Sequence, residues 1–222
     1  RSGRLHGRGS LRVERRAILQ VMNEIFRKPS THSRPGTTQA GDGLPRRKWS
    51  AEEVQRMIAA GIVQHGERFE LIEGDLVAMA AKGNHHEALK IALNDYLGAN
   101  RGPDLRHAQE TPLLLDPFTE PEPEFIVFPR SIKPRDVRGD TVLLVIEIAD
   151  LSLGIDLNRK AMLYASFGVR DYWVINAARR LTYVHREPSA TGYASLAEVP
   201  GSDLLVPLLA PSLAVRLGDL GL

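Results

Sequence analysis

The stretch Thr141–Ala149, TVLLVIEIA, decides the expected fold. Apart from Thr141 and Glu147 it is apolar, and such a run is typical of a central strand that is buried on both faces of a sheet. A lone ionised carboxylate in such a strand is costly unless it is paired, protonated or bound to a metal. Glu147 is therefore a candidate functional residue. The alternative is a glutamate at a strand end that is bridged to a nearby lysine or arginine.

The segments around this strand carry alternating helix and strand patterns. Ser50 and Glu53 have the spacing of a capping box, so a helix is expected from there to about Ala60. Glu73-Gly74-Asp75 indicates a hairpin turn. The remaining elements are expected as helices at 84–97 and 157–167, as strands at 69–72, 76–79, 111–115, 125–128, 171–175 and 181–186, and as short strands near the carboxyl terminus. This order predicts an α/β or α+β fold around a mixed sheet.

The amino-terminal part of the chain differs from the rest in charge. Residues 1–48 contain 12 basic and 3 acidic residues, whereas the remainder contains 17 basic and 24 acidic residues. We expect residues 1–46 to be a basic, disordered tail and linker, and residues 47–222 to be the folded domain. Within the tail, residues 11–28 could form a basic helix or an arm that binds DNA. Met22 is a candidate for the natural start, which intact-mass measurement would test.

Several classes of protein are excluded by composition. The chain contains no cysteine, which rules out disulfides, thiolate zinc sites and a cysteine nucleophile. It has no apolar run of the roughly 18 to 20 residues that a membrane span requires, and its basic amino terminus lacks the apolar stretch of a secretory signal. The expected location is the cytoplasm.

Glu124 is the second acidic candidate, because Pro121-Glu122-Pro123-Glu124 leads directly into the expected strand at 125–128. Two carboxylates on neighbouring strands can converge on one hard cation, and Mg²⁺ and Mn²⁺ prefer carboxylate and water ligands. The alternative is a solvated acidic turn.

Lys160 follows Asp156 by four residues, and Tyr164 follows one turn later, so the three share one face of the expected helix. Asp156 and Lys160 form either an ordinary surface ion pair or part of a site in which the lysine steadies the attacking water or the phosphate oxygens. Two carboxylates, a cation and a lysine suffice for phosphodiester hydrolysis, because the protein mainly positions groups and stabilises charge.

His86 lies in His85-His86-Glu87, which is similar to a zinc metalloprotease signature. Lys90 stands where that signature requires its second histidine, so this zinc site is excluded. His86 lies at the start of a helix. It either caps the helix or is solvated, or it contacts a phosphate or a carboxylate.

Six segments occur in a fixed order along the chain. They are RFELIEG at 68–74, His86 with Leu93, EPE at 122–124, LVIEIADLS at 144–152, Asp156 with Lys160 and Tyr164, and GVRDYWVI at 168–175. In this order, over about residues 47–187, the chain resembles the Uma-two type family of restriction endonuclease-like proteins, a branch of the PD-(D/E)xK nuclease superfamily.

The resemblance implies a restriction-endonuclease-like fold, with a mixed sheet flanked by helices. It also implies a metal-dependent endonuclease that hydrolyses phosphodiester bonds in DNA. Glu124 and Glu147 would hold Mg²⁺ or Mn²⁺. Enzymes of the superfamily often act as dimers, so a homodimer is an expected state.

The resemblance also implies roles for the other candidates. Lys160 would be the motif lysine, supplied by the following helix because Ala149 occupies the usual position of that lysine. Glu70 and His86 would line the same site, and Asp156 would orient Lys160.

Glu124 departs from the family pattern, which usually has aspartate. A glutamate reaches one carbon further, and a misplacement of about 1 Å is enough to slow such reactions strongly. Two alternatives to an active endonuclease therefore stand. One is a catalytically inactive nuclease-fold module that binds DNA or protein, and the other is an unrelated metal hydrolase with a small phosphate-ester substrate.

Overall fold

The structure, a computed structural model, describes residues 37–39, 45–64, 66–79, 81–150 and 152–221. The expectations of a basic helix and a DNA-binding arm in the tail lie outside the described residues. The boundary at residue 46 stays a prediction. Within the described ranges, no helix combines the length and the apolar character needed to cross a membrane.

The core of the protein is a six-stranded mixed sheet. The described strands are Thr37–Gln39 (β1), Pro45–Arg47 (β2), Phe69–Ile72 (β3), Asp75–Ala78 (β4), Leu105–Gln109 (β5), Phe125–Pro129 (β6), Leu144–Ala149 (β7), Asp171–Asn176 (β8), Leu181–Ser189 (β9) and Gly192–Pro200 (β10). The sheet has the order β10-β9-β8-β7-β6-β5. Only β7 and β8 run parallel within it. β1 pairs with β2 and β3 with β4 in two separate hairpins, and β1 falls in the stretch expected to be a linker.

The helices flank this sheet. They are Ala51–Ala59 (α1), Asn84–Asn100 (α2) and a composite helix (α3) made of a turn at Leu153–Ile155, a π-helical stretch at Asp156–Lys160 and an α-helical end at Ala161–Ser166. Short 3₁₀ turns occur at Pro134–Asp136, Pro211–Leu213 and Leu217–Leu220. The capping box of α1 is confirmed, because Glu53 N–H donates to Ser50 Oγ and Ser50 N–H donates to Glu53 Oε2.

Residues of β7 alternate between the two faces of the sheet. Ile146 and Ile148 belong to the apolar cluster that contains Leu93 of α2. Val145 belongs to the cluster that contains Tyr164 of α3. The expected strand begins at Leu144 rather than at Thr141, and it is central and buried on both faces. The expected fold class, a mixed sheet flanked by helices, is confirmed.

The turn between β3 and β4 explains a glycine of the RFELIEG segment. Glu73 and Gly74 have φ values of 54° and 93°, as a two-residue turn with both central residues in the left-handed region requires. A Cβ at Gly74 would lie 2.6 Å from the Cβ of Lys48. Both the conformation and the close approach therefore favour glycine, and the expected hairpin is confirmed.

The strand expected at 111–115 is wrong, and β5 is instead the edge strand that pairs with β6. Pro112 has no N–H to donate to a sheet. Leu113 and Leu115 donate to the carbonyl oxygens of Pro121 and Thr119, so this segment folds back on the chain that follows it. The helix expected at 157–167 begins earlier, at Leu153, and contains the π-helical stretch.

Asp171 in β8 anchors the carboxy-terminal segment to the sheet. Its side chain is fully buried, and Oδ1 accepts hydrogen bonds from Trp173 Nε1 and Arg186 Nε, both at 3.0 Å. Oδ2 accepts a hydrogen bond from Leu208 N–H at 2.6 Å. The aspartate and the tryptophan of the GVRDYWVI segment therefore have a structural role.

Substituting Asp171→Ala is expected to lower the free energy of unfolding by about 3–5 kcal/mol, because it leaves the Trp173 and Leu208 donors without their acceptor and removes the carboxylate that pairs with Arg186. Urea denaturation would measure this. The matched control is Asp219→Ala, which removes a 73% exposed carboxylate 3.9 Å from Arg216 and should change stability by less than about 1 kcal/mol. Equal stabilities of the two variants would contradict the anchoring role.

Candidate active site

The pairing of β6 with β7 brings the two candidate carboxylates together. Phe125 lies opposite Ile146 in this antiparallel pair, so the register continued by one residue places Glu124 opposite Glu147. Directly opposite residues point to the same face of the sheet, with their Cβ atoms about 5 Å apart. Glu124 and Glu147 are each 4% exposed. This burial excludes the solvated acidic turn that the sequence left open for Glu124.

Lys160, in the π-helical part of α3, is surrounded by carboxylates. Its Nζ donates to Glu70 Oε1 at 2.9 Å and to Glu147 Oε1 at 3.0 Å, and lies 3.7 Å from Asp156 Oδ1. Its side chain is 8% exposed, so Asp156 and Lys160 do not form an ordinary surface pair. Burial alone would lower the pKa of Lys160, but the carboxylates of Glu147, Glu70 and Asp156 raise it above its ordinary value, so the ammonium group stays charged.

Glu147 has an unusual titration because it lies in the apolar interior. Burial raises the pKa of Glu147 to about 8, although the charge of Lys160 opposes this shift. Tyr164 OH also donates to Glu147 Oε1, at 3.1 Å, and burial holds the pKa of Tyr164 well above its ordinary value. Within the described residues, both side-chain hydrogen bonds to Glu147 fall on Oε1, which leaves Oε2 free to bind another ligand.

Asp156 is fixed beside Lys160 from two sides. Ser152 Oγ donates to Asp156 Oδ2 at 2.6 Å, and Tyr172 OH donates to the main-chain carbonyl oxygen of Asp156 at 3.0 Å. Burial raises the pKa of Asp156. The π-helical stretch spans Asp156 to Lys160, and such local widening of a helix is frequent at functional sites.

One carboxylate oxygen of Glu124 is contacted by a histidine and a lysine side chain. His86 Nε2 and Lys82 Nζ lie 3.0 Å and 2.6 Å from Glu124 Oε1. Burial alone would raise the pKa of Glu124, but the hydrogen bonds from His86 and Lys82 lower it, so the carboxylate is ionised. Glu124 Oε2 is buried and has no hydrogen-bond partner among the described residues. His86 is 4% exposed, so it is not a solvated histidine.

Lys82 and Glu110 are two residues of this cluster that sequence reasoning missed. Lys82 lies in the loop between β4 and α2 and forms an ion pair with Glu110 as well as with Glu124. Lys90 Nζ and Arg68 Nη2 also lie 3.4 Å and 3.3 Å from Glu110 Oε1. The hydrogen bond from Lys82 lowers the pKa of Glu110 to about 2. Lys82 precedes the first residue of α2, so no helical spacing to His86 marks it in the sequence.

All six candidate residues from the sequence line one cavity of about 180 Å³. Its charged and ionisable lining residues are Glu70, Glu122, Glu124, Glu147, Asp150, Asp156, Lys82, Lys160 and His86. Carboxylates outnumber the cationic groups, which favours the binding of a cation. The volume is below the roughly 300–1,000 Å³ of enclosed small-molecule sites, and this disfavours a small phosphate-ester substrate. A larger cavity of about 590 Å³ lies on the other side of β3, and none of the six candidates lines it.

The donor set fits a hard cation that keeps part of its water shell. In the described part of the chain, no group of three or more histidine and acidic side chains is arranged to hold a metal ion by itself. Mg²⁺ is commonly bound through one or two carboxylates together with waters and substrate phosphates, so a pair of carboxylates is sufficient. The buried and unpartnered Glu124 Oε2 is the observation that fits such a ligand.

The fold defines a nuclease-like α+β protein. The fold is similar to that of a protein from Anabaena variabilis ATCC 29413, whose crystal structure is described as that of "a putative nuclease belonging to DUF820". The TM-score is 0.59 at 17% sequence identity, over 78% of this chain and 97% of that chain. At this identity the likeness shows the fold alone.

The chain belongs to the Uma2 family, which is described as "Putative restriction endonuclease" and whose model matches residues 51–218. The resemblance to the Uma-two type family is thereby confirmed. The placement in the PD-(D/E)xK superfamily stays a prediction. No curated protein matches the chain.

Proposed function

We propose that this protein is a metal-dependent nuclease that hydrolyses phosphodiester bonds in DNA. The observation that carries the proposal is the buried Lys160 ammonium, hydrogen-bonded to Glu147, together with the register of β6 and β7, which continued by one residue places Glu124 opposite Glu147. Membership of the Uma2 family, described as "Putative restriction endonuclease", supports the same reaction class and DNA as the substrate.

In this proposal Glu124 and Glu147 hold Mg²⁺ or Mn²⁺. The bound cation would supply charge neutralisation at the phosphate and a lower pKa for a bound water. Glu147 offers Oε2, because Lys160 and Tyr164 occupy Oε1. Glu124 offers its unpartnered Oε2.

The remaining residues position Lys160 and Glu124 and place positive charge beside the substrate. An ammonium group has three donors, and Lys160 uses two of them on Glu70 and Glu147. Asp156 Oδ1 is 3.7 Å from Lys160 Nζ, beyond hydrogen-bond distance, so the third donor can turn to a phosphate oxygen or to the attacking water. Glu70 and Asp156 fix the direction of the Lys160 side chain, and His86 orients Glu124.

Nicking of supercoiled plasmid tests the proposal. We expect cleavage by the wild type that requires Mg²⁺ or Mn²⁺ and that falls by about 10³-fold or more in Glu147→Gln, because a neutral amide cannot replace the charged ligand. Asp219→Asn is the matched control, since Asp219 is a 73% exposed carboxylate that lies 3.9 Å from Arg216 and does not line the cavity, and it should retain activity. Equal, negligible nicking by wild type and by Glu147→Gln with both metals would refute the proposal.

A catalytically inactive nuclease-fold module is the second candidate. Two observations favour it: Glu124 stands where the family pattern has aspartate, and Lys82 and His86 already occupy one of its oxygens. Such a module would bind DNA, or a protein partner, without cleaving DNA. Saturable manganese binding that is lost in Glu147→Ala, without any nicking by the wild type, would identify it. A homodimer and a cytoplasmic location stay predictions.

A further inference from the structure

Lys82 lies close to the place where a cation would meet Glu124. Its Nζ is 2.6 Å from Glu124 Oε1, and its side chain is only 11% exposed. An ammonium group and a divalent cation compete for a shared carboxylate, because each neutralises the charge that attracts the other. In the metal-free protein, Lys82 therefore already supplies part of the positive charge that Glu124 needs in a buried position.

Lys82 also has a second partner at the edge of the cavity. The same ammonium group forms an ion pair with Glu110, whose side chain is 35% exposed compared with 6% for Glu124. Glu110 Oε1 accepts hydrogen bonds from Lys90 and Arg68 as well, so its charge is shared among three cationic side chains. Because Lys82 contacts both carboxylates at once, moving its charge fully to Glu110 requires only a small rotation of a flexible side chain.

We propose that Lys82 is an internal counter-cation that holds Glu124 in the metal-free protein and transfers to Glu110 when a divalent cation binds. This inference rests on the proposed metal site. Lys82 opposes metal binding through Glu124, and Glu110 favours it by accepting the displaced ammonium group. The transfer keeps the lysine charge at the edge of the cavity, where it faces an incoming phosphate.

Titration calorimetry with Mn²⁺ on the full chain tests the proposal. We expect Lys82→Met to bind Mn²⁺ roughly tenfold more tightly than the wild type, because the competing charge is removed. Lys90→Met is the matched control: Lys90 has a similarly buried side chain, 12% exposed, and contacts Glu110 but not Glu124. It should change the affinity by less than about threefold.

Glu110 gives a second measurement that a purely structural role of Lys82 would not affect. In the wild-type background, Glu110→Gln should weaken Mn²⁺ binding by about threefold or more, because Lys82 then has only Glu124 as a partner. In the Lys82→Met background the same substitution should have a clearly smaller effect. Thermal denaturation of each variant establishes that it is folded, and Lys82→Gln serves as a second neutral substitution.

The outcomes separate this inference from the proposed function. If the wild type binds Mn²⁺ and Glu147→Gln does not, the metal site stands, and unchanged or weaker binding by Lys82→Met overturns the role of Lys82 alone. Equal effects of Glu110→Gln in both backgrounds would also overturn it. If neither the wild type nor Lys82→Met binds Mn²⁺, both the metal site and the counter-cation are refuted. Binding by Lys82→Met alone supports both.

Discussion

Replacing Lys160 with methionine is expected to lower the free energy of unfolding of the metal-free protein by about 3–5 kcal/mol. Lys160 is hydrogen-bonded to Glu70 and Glu147 and lies 3.7 Å from Asp156, and these carboxylates have side chains that are 7%, 6% and 3% exposed. Methionine fills a similar volume but leaves three buried acidic groups without their shared cation. Urea denaturation in the presence of EDTA at about pH 8 would measure the loss.

Two further variants make this prediction specific. Arg159→Met removes the neighbouring cation, whose side chain is 47% exposed and lies 3.4 Å from Glu73, and should change stability by less than about 1 kcal/mol. Adding Glu147→Gln to Lys160→Met should recover roughly 1 kcal/mol or more, because one of the unpaired carboxylates is removed. If Lys160→Met were as stable as Arg159→Met, the buried lysine would not be the electrostatic centre of the site.

The strands and helices with strong apolar patterns could be predicted from the sequence, and the weakly patterned ones could not. The apolar run around Glu147 forms β7, and RFELIEG forms β3 with its turn. β5 was missed because it is a half-buried edge strand that contains Arg106, His107 and Gln109. The π-helical stretch of α3 was not predictable, because the sequence pattern fits an ordinary helix equally well. In the fold, Lys160 donates to Glu147 of β7, and Tyr172 of β8 donates to the Asp156 carbonyl oxygen.

The candidate site shows the same division. Glu147 could be found from a physical conflict, a charge in an apolar strand, and Glu124 from its place directly before the next strand. Lys82 and Glu110 carry no such conflict, because each lies in an irregular segment where charged residues are ordinary. They are 28 positions apart in the sequence. Lys82 lies just before α2 and Glu110 just after β5, so the fold brings them together by placing these two elements side by side. Long-range ion pairs between loops therefore need the tertiary structure to be recognised.

Glu147→Gln is expected to remove a pH dependence of stability from the metal-free protein. The pKa of Glu147 is raised by burial from 4.5 to about 8, so between these values the folded state binds a proton that the unfolded state has released. Stability must then fall as the pH rises through this window, with a slope of up to about 1.4 kcal/mol per pH unit, and must level off above about pH 8. The glutamine variant has no such proton and should lack this loss.

The measurement is the free energy of unfolding of both proteins in EDTA at several values between about pH 5.5 and pH 9. Titrating groups that do not interact with Glu147 contribute equally to both proteins and cancel in the difference, so the variant should gain stability over the wild type as the pH rises. At about pH 8 to 9 it should be the more stable protein while lacking nuclease activity, since glutamine fills the buried position without a charge. A difference that stays constant across the pH range would show that Glu147 titrates as an ordinary carboxylate. Its burial would then carry no electrostatic cost for a metal ion to offset.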